Sequence, residues 1–235
     1  RMWLFWNQKL CNKQNEFNEE QQRTWYLWAI RTDDAGRETP AWTEPGRLCE
    51  AIMMNKPTVL SDGSWLLCSS DWHWDRSARV FRSTDNGESW WHWGQAHVPK
   101  KEDRTFDEHM VVERRDKTLW MLVRTKYGIG ESFSSDAGLS WSYVRPASIG
   151  NACSRFFIRR LDSGNLILVK HGQDVEKAPG RRSHLTAFLS DDDGETWKGG
   201  LLLDERDGVS YPDGVQGDNG TIYVVHDFDR GGAKE

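Results

Sequence analysis

The feature that most constrains this chain is an eight-residue box that recurs at nearly even spacing. Ser83-Thr84-Asp85-Asn86-Gly87-Glu88-Ser89-Trp90 has the form S-x-D-x-G-x-S/T-W, and so do residues 134–141 and 190–197. A fourth copy, Thr32-Asp33-Asp34-Ala35-Gly36, keeps the hydroxyl, acid and glycine but lacks the Trp three residues on. The glycines at 36, 87, 138 and 194 are 51, 51 and 56 residues apart. Such a period belongs to arrays that build one small unit per repeat. A short β-prone run precedes each full box: Arg79–Arg82, Gly130–Phe133 and Leu185–Leu189. An Asp side chain accepts hydrogen bonds from backbone N–H groups ahead of it, and Gly supplies positive φ, so the box is expected to close a hairpin. The Trp then opens the return strand with a large apolar face to bury. Asp34, Asp85, Asp136 and Asp192 are therefore read as turn chemistry, not as catalytic acids.

Each repeat also carries an earlier turn signal. Ser61-Asp62-Gly63 separates Thr58–Leu60 from Trp65–Cys68, and Arg115-Asp116-Lys117 separates Met110–Glu113 from Leu119–Arg124. Asp162-Ser163-Gly164 and Asp218-Asn219-Gly220 do the same for Phe156–Arg159 with Leu166–Lys170 and for Tyr211–Gln216 with Ile222–His226. Two hairpins per repeat make four strands, and four-stranded sheets at this period predict an all-β fold, a β-propeller. The expected organisation is one propeller domain over residues 1–235, with blades near 1–46, 47–97, 98–147 and 148–204 and a partial one at 205–235. The chain starts inside an apolar run, Met2–Trp6, and stops at Gly231–Glu235 where a turn would be completing. It reads as a piece of a longer protein, cut at both ends. The polar stretch Asn7–Arg23 is expected to be a surface loop.

Composition removes several function classes. A net charge of −5 with 29% charged residues gives no basic field for nucleic acid. No run of eighteen apolar residues is present, so no membrane span is expected. The four cysteines, at 11, 49, 68 and 153, have no C-x-x-C spacing, which argues against zinc and for buried free thiols. Nothing requires a metal or a cofactor. The 14 Trp residues, including Trp72-His73-Trp74, exceed what three boxes use and suit either packing between blades or stacking on sugars.

In a propeller the first strand of each blade lines the central channel, so chemistry is sought on those strands and the loops beside them. Three segments there resemble the sialidase (neuraminidase) superfamily, six-bladed propellers carrying this box. Phe106-Asp107-Glu108-His109 followed by Leu119–Arg124 is similar to a Glu opening one strand and an Arg ending the next. Arg182-Ser183-His184-Leu185 leads into the Ser190 box, and Val209-Ser210-Tyr211-Pro212-Asp213-Gly214 resembles the nucleophile segment. The resemblance implies Tyr211 as nucleophile, Glu108 as its activator, and Arg124 and Arg182 as anchors for a substrate carboxylate. Arg155, opening the fourth repeat, is a further channel candidate. It also implies an exo-glycosidase releasing a terminal α-linked acidic sugar with retention, a carbohydrate partner, and a secreted or periplasmic setting. The family's first arginine and its acid/base Asp belong to a first blade that this chain lacks, so the chain itself is expected to be inactive.

That residue set suits its chemistry. Sialic acid carries a carboxylate on its anomeric carbon, which repels an anionic nucleophile, whereas a phenol beside a Glu is neutral. A guanidinium is planar and always charged, so it can hold a carboxylate through two hydrogen bonds. Plainer readings exist for each residue: Glu108 as a solvated strand start, Arg124 as a strand-end residue paired with Glu131, Arg182 as a loop charge, Tyr211 as a core aromatic. Asp107, His109, His171, Lys56, Asp227 and Arg230 are further polar groups near the expected channel. Two other functions are compatible with the sequence: action on a different acidic sugar, such as a uronic or keto-deoxy sugar, and a binding propeller without chemistry.

Overall fold

A computed structural model describes residues 1–9, 25–70 and 77–229. Trp72-His73-Trp74, Cys11, Arg230, the end of the chain and most of the expected loop 7–23 lie outside these. The described residues are β-strands and connections, apart from one 3-10 turn at Lys101–Asp103. They fall into two compact units, residues 1–97 and 98–235.

The first unit holds two antiparallel sheets. In one, β1 (Met2–Gln8), β2 (Tyr26–Thr32) and β3 (Gly46–Glu50) lie side by side in that order. Asn7 and Gln8, expected in the loop, instead finish β1 opposite Leu27 and Tyr26. The sheet also runs past the expected limit at 46, because β3 pairs with β2. In the other sheet, β4 (Ile52–Met53) and β5 (Thr58–Val59) pair with β6 (Trp65–Ser70), followed by β7 (Ala78–Ser83) and β8 (Trp91–Ala96). Leu27, Ala51, Leu67, Phe81 and Trp90 make the core. Trp65 meets Trp3 and Trp90 edge-on, each at 6.4 Å between ring centroids, so these indoles serve packing.

The second unit holds three. The first is β9 (Arg104–Glu113), β10 (Leu119–Thr125), β11 (Gly128–Ser134) and β12 (Arg145–Pro146); the second is β13 (Phe157–Arg160), β14 (Leu166–His171), β15 (Leu185–Ser190) and β16 (Lys198–Asp204). The third is the pair β17 (Ser210–Gln216) and β18 (Ile222–Asp227). Every residue of β10 is buried, as expected of an inner strand reading Leu-Trp-Met-Leu-Val. Met110, Leu122, Phe157, Ile158, Leu168 and Val209 join a common core of the three sheets. Their leading strands adjoin: Ile158 N–H donates to Met110 Sδ at 3.4 Å, and the Phe157 ring lies against Gly214.

The box residues make one repeated hydrogen-bond set. Ser83 Oγ donates to Asp85 Oδ1 at 2.7 Å, Ser89 N–H donates to the same oxygen at 3.0 Å, and Gly87 N–H donates to Ser83 Oγ at 2.9 Å. Asp136 and Asp192 repeat the pattern with Ser134, Ser140, Ser190 and Thr196. In the copy without Trp, Asp34 accepts from Thr32 Oγ1 at 2.5 Å and from Ala41 N–H at 3.1 Å. These bonds favour the carboxylate form and hold Asp85, Asp136 and Asp192 at about 2, led by Ser89, Ser140 and Thr196 respectively. The glycine is needed for two reasons at Gly194. Its φ is +91°, and a Cβ there would collide with the Trp120 ring of the preceding sheet. Asp193 ties the same two sheets, accepting from Arg115 N–H and Arg160 Nη2, each at 2.7 Å.

Candidate functional site

The site lies in the second unit, where the middle of β9, the end of β10 and the start of β17 come together. Two of its residues sit at breaks in strand register. On β9, Met110 pairs with Leu122 and Asp107 with Arg124, so Glu108 and His109 stand opposite the single residue Val123. On β17, Ser210 pairs with Asp227 and Asp213 with Val225, so Tyr211 and Pro212 stand opposite His226 alone. A two-against-one bulge turns a side chain away from the ladder's alternation. Both bulges open on a left-handed residue that is not glycine: φ is +41° at Glu108 and +51° at Tyr211, with Asp107 also at +61°. Such backbone costs on the order of 1–3 kcal/mol per residue and persists only where its surroundings enforce it.

The bulges bring the two side chains together. Tyr211 Oη donates to Glu108 Oε1 at 2.7 Å, and Arg124 Nη1 donates to Glu108 Oε2 at 2.8 Å. The same Nη1 lies 3.3 Å from Tyr211 Oη. Glu108 and Arg124 are buried, and Tyr211 is half-buried. The plainer readings of Glu108 and Arg124 thus do not hold: Glu108 is not solvated, and Glu131 binds Arg145 and the Trp120 indole instead of Arg124. Burial works against the Arg124 charge, but the Glu108 carboxylate outweighs it and holds the guanidinium above its ordinary value. Burial, followed by Glu108, raises the Tyr211 phenol above 10, with Arg124 opposing. The resting Tyr is therefore a neutral phenol hydrogen-bonded to a base.

Arg182 stands over the Tyr211 ring, its Cζ 5.7 Å from the centroid. It donates to Ser210 Oγ at 3.1 Å and to the Cys153 carbonyl at 3.4 Å. Cys153 Sγ also accepts from Arg124 Nη2 at 3.9 Å, so one residue touches both arginines. The expectation of buried thiols fails here, since Cys153 is exposed, whereas Cys68 is buried and Cys49 half-buried. Phe106, 47% exposed, lies over Arg124 with 5.3 Å from ring centroid to Cζ. Neither Cys153 nor Phe106 stood out as a functional residue in the sequence, although each lies within a few residues of one that did.

Arg155 is placed differently from a substrate anchor. It is buried beneath β17, where Nη1 donates to the Pro212 carbonyl and Nη2 lies 3.5 Å from Asp213 Oδ2. Burial lowers its pKa, with Asp213 and Glu108 opposing. Other buried polar groups hold the same strand. Ser154 Oγ is 3.1 Å from Ser210 Oγ, and His171 Nε2 is 3.0 Å from the Val209 carbonyl. Burial lowers His171 to about 4, so it is neutral. Lys56 is an exposed residue of the first unit, and Asp227 ends β18. Among the described residues no group of His, Cys, Asp and Glu is disposed to hold a metal ion, and no helix is long and apolar enough to cross a membrane.

Comparison with known proteins places this geometry in context. A family model described as a BNR repeat-like domain matches residues 1–224. A variant of NanB sialidase from Streptococcus pneumoniae superposes with a TM-score of 0.66 at 19% identity, over 86% of this chain and 32% of that one. The intramolecular trans-sialidase from Ruminococcus gnavus gives 0.63 at 19% identity, over 86% and 46%. Trypanosoma rangeli sialidase in complex with sialic acid gives 0.62 at 15% identity, over 97% and 41%. The chain thus spans 32–46% of these structures, and at such identities the likeness is one of fold. The curated proteins give no match.

Proposed function

The chain belongs to the BNR repeat-like family, whose fold here is that of the sialidases, and on that premise we propose that it carries the nucleophile half of a retaining exo-sialidase site. The observation that carries the reading is the contact of Tyr211 Oη with Glu108 Oε1 across a hydrogen bond of 2.7 Å, with Arg124 against both. A phenol within reach of a positioned base, itself oriented by a third group, has the geometry of an activated nucleophile.

In this reading Tyr211 Oη attacks the anomeric carbon as its proton passes to Glu108 Oε1. The bond to the leaving alcohol breaks, and the sugar stays on the phenolic oxygen until water releases it. Arg124 Nη1, 3.3 Å from that oxygen, steadies the negative charge that develops there. Arg124 and Arg182 both stand against Tyr211 and supply the positive field for the substrate carboxylate. Arg155, held by Pro212 and Asp213, is assigned to the strand and not to the sugar. The domain is proposed to be part of a six-bladed propeller, with Asp34, Asp85, Asp136 and Asp192 as its structural box acids. The leaving-group acid is assigned to a part of the fold outside these residues.

The test is release of fluorophore from 4-methylumbelliferyl α-sialoside by the full-length protein, beside its Tyr211→Phe variant. The variant keeps the ring and loses the oxygen, so turnover is expected to vanish while binding of an unsaturated sialic acid analogue persists. Undiminished turnover in Tyr211→Phe refutes the assignment. Silence from the unsubstituted protein, with retained analogue binding, moves the reading to another acidic sugar or to binding alone.

A further inference from the structure

The Glu108–Tyr211 contact depends on two unusual stretches of backbone, and each is gripped by an arginine outside the reacting pair. Arg104, at the start of β9, donates through Nε to Asp107 Oδ1 at 3.1 Å and through Nη2 to Asp107 Oδ2 at 2.5 Å. This fork is almost wholly dry, with side-chain exposures of 9% and 1%. Asp107 is the left-handed residue immediately before Glu108. Arg155 grips the other bulge through the Pro212 carbonyl and Asp213, immediately after Tyr211. A buried ion pair gains little net stability over apolar packing, but it defines one geometry sharply. A two-point guanidinium–carboxylate contact fixes orientation as well as distance.

We infer that Arg104 and Arg155 are positioning residues, each clamping one bulge so that Glu108 and Tyr211 meet at hydrogen-bond distance. The inference rests on the reading of those two residues as base and nucleophile. The clamps act on neighbouring residues: Arg104 through Asp107, Arg155 through Pro212 and Asp213. Losing one lets its bulge relax toward ordinary β backbone, which swings the side chain back into the ladder's alternation. A displacement near 1 Å at reacting atoms costs about a hundredfold in rate.

The experiment reads the contact without any substrate. Ultraviolet titration of the phenols, taken as the difference between each protein and its Tyr211→Phe counterpart, isolates Tyr211 from the other tyrosines. The backgrounds are Arg104→Lys and Arg155→Lys, which keep the charge and lose the fork, Asp107→Asn, and Arg145→Lys as a surface control on the same sheet as Arg104. The Tyr211 midpoint is expected to fall toward the ordinary phenol value in the first three and to stay in the control. Turnover in the full-length protein is expected to fall about a hundredfold in kcat with KM nearly unchanged. An unmoved midpoint in folded Arg104→Lys and Arg155→Lys overturns the inference, as does an equal fall in Arg145→Lys. If Arg104→Lys does not fold, Asp107→Asn decides for that clamp. A shifted midpoint in a protein that cleaves no sialoside leaves the clamps standing and removes only the proposed reaction.

Discussion

Removing the Glu108 carboxylate should destabilise the second unit through the charge it leaves behind. Arg124 is 5% exposed, and among the described residues its anionic partner is Glu108 at 2.8 Å. Without it the guanidinium keeps a phenol at 3.3 Å and a thiol at 3.9 Å, and its buried Nε has no hydrogen-bond partner among the described residues. At an effective dielectric near 20, opposite charges about 4 Å apart attract by about 4 kcal/mol. Breaking a buried pair by deleting one member costs about 3–5 kcal/mol, because the survivor stays desolvated. Backbone strain does not confuse the comparison, since Ala at φ +41° bears the same Cβ penalty as Glu. Glu108→Ala is therefore expected to lose about 3–5 kcal/mol in urea unfolding, and to lower Tm by about 10 °C for a chain of this size. Arg124→Met with Glu108→Ala should recover a large part of the loss, since the double variant buries no charge. A Glu108→Ala loss under about 1 kcal/mol, or a double variant that loses the sum of the two single ones, refutes the claim that these charges depend on one another.

Three further outcomes follow from the same geometry. Gly194→Ala combines φ +91° with a clash against Trp120 and should cost about 2 kcal/mol or more, whereas Gly180→Ala, with open space around it, should be nearly neutral in the same melts. Acid should act in two windows, read by urea unfolding against pH. His171, at about 4 when folded against an ordinary 6.5, contributes stability above pH 6.5 that is lost as pH falls through 4. That contribution is about 3 kcal/mol, and His171→Gln should flatten this part of the profile. The box aspartates, at about 2 against 3.8, contribute above pH 4 and lose that contribution as pH falls through 2. Among the described cysteines, labelling with a thiol reagent should find Cys153 first, whereas Cys49, whose thiol burial pushes up to about 12, should react only on unfolding. Protection of Cys153 by a bound acidic sugar would place ligand between Arg124 and Arg182.

The strands and turns were legible in the sequence because their causes are local. Asp85, Gly87 and Ser89 close their hairpin within seven residues, and Leu119–Val123 reads as an inner strand from its own apolar run. What failed at the level of strands was not local: Gly46–Glu50 carries no apolar run to mark it, and joins its sheet by pairing with β2. The site was half legible. Residue type and order pointed to Glu108, Tyr211, Arg124 and Arg182 through resemblance, but nothing in the order of residues tells which way a side chain faces once the register shifts. That shift is a property of two strands taken together: Glu108 is displaced relative to Val123, and Tyr211 relative to His226. Arg155, expected near the channel, shows the same limit: its position in the sequence does not tell that its guanidinium reaches the Pro212 carbonyl beside Tyr211. A left-handed Glu and a left-handed Tyr are unfavourable by themselves, so no propensity scale would select them. They are held because Asp107, Pro212 and Asp213 are gripped by Arg104 and Arg155 from elsewhere in the chain. The strain and its restraint are thus one device, and it lies where local preference and three-dimensional structure disagree.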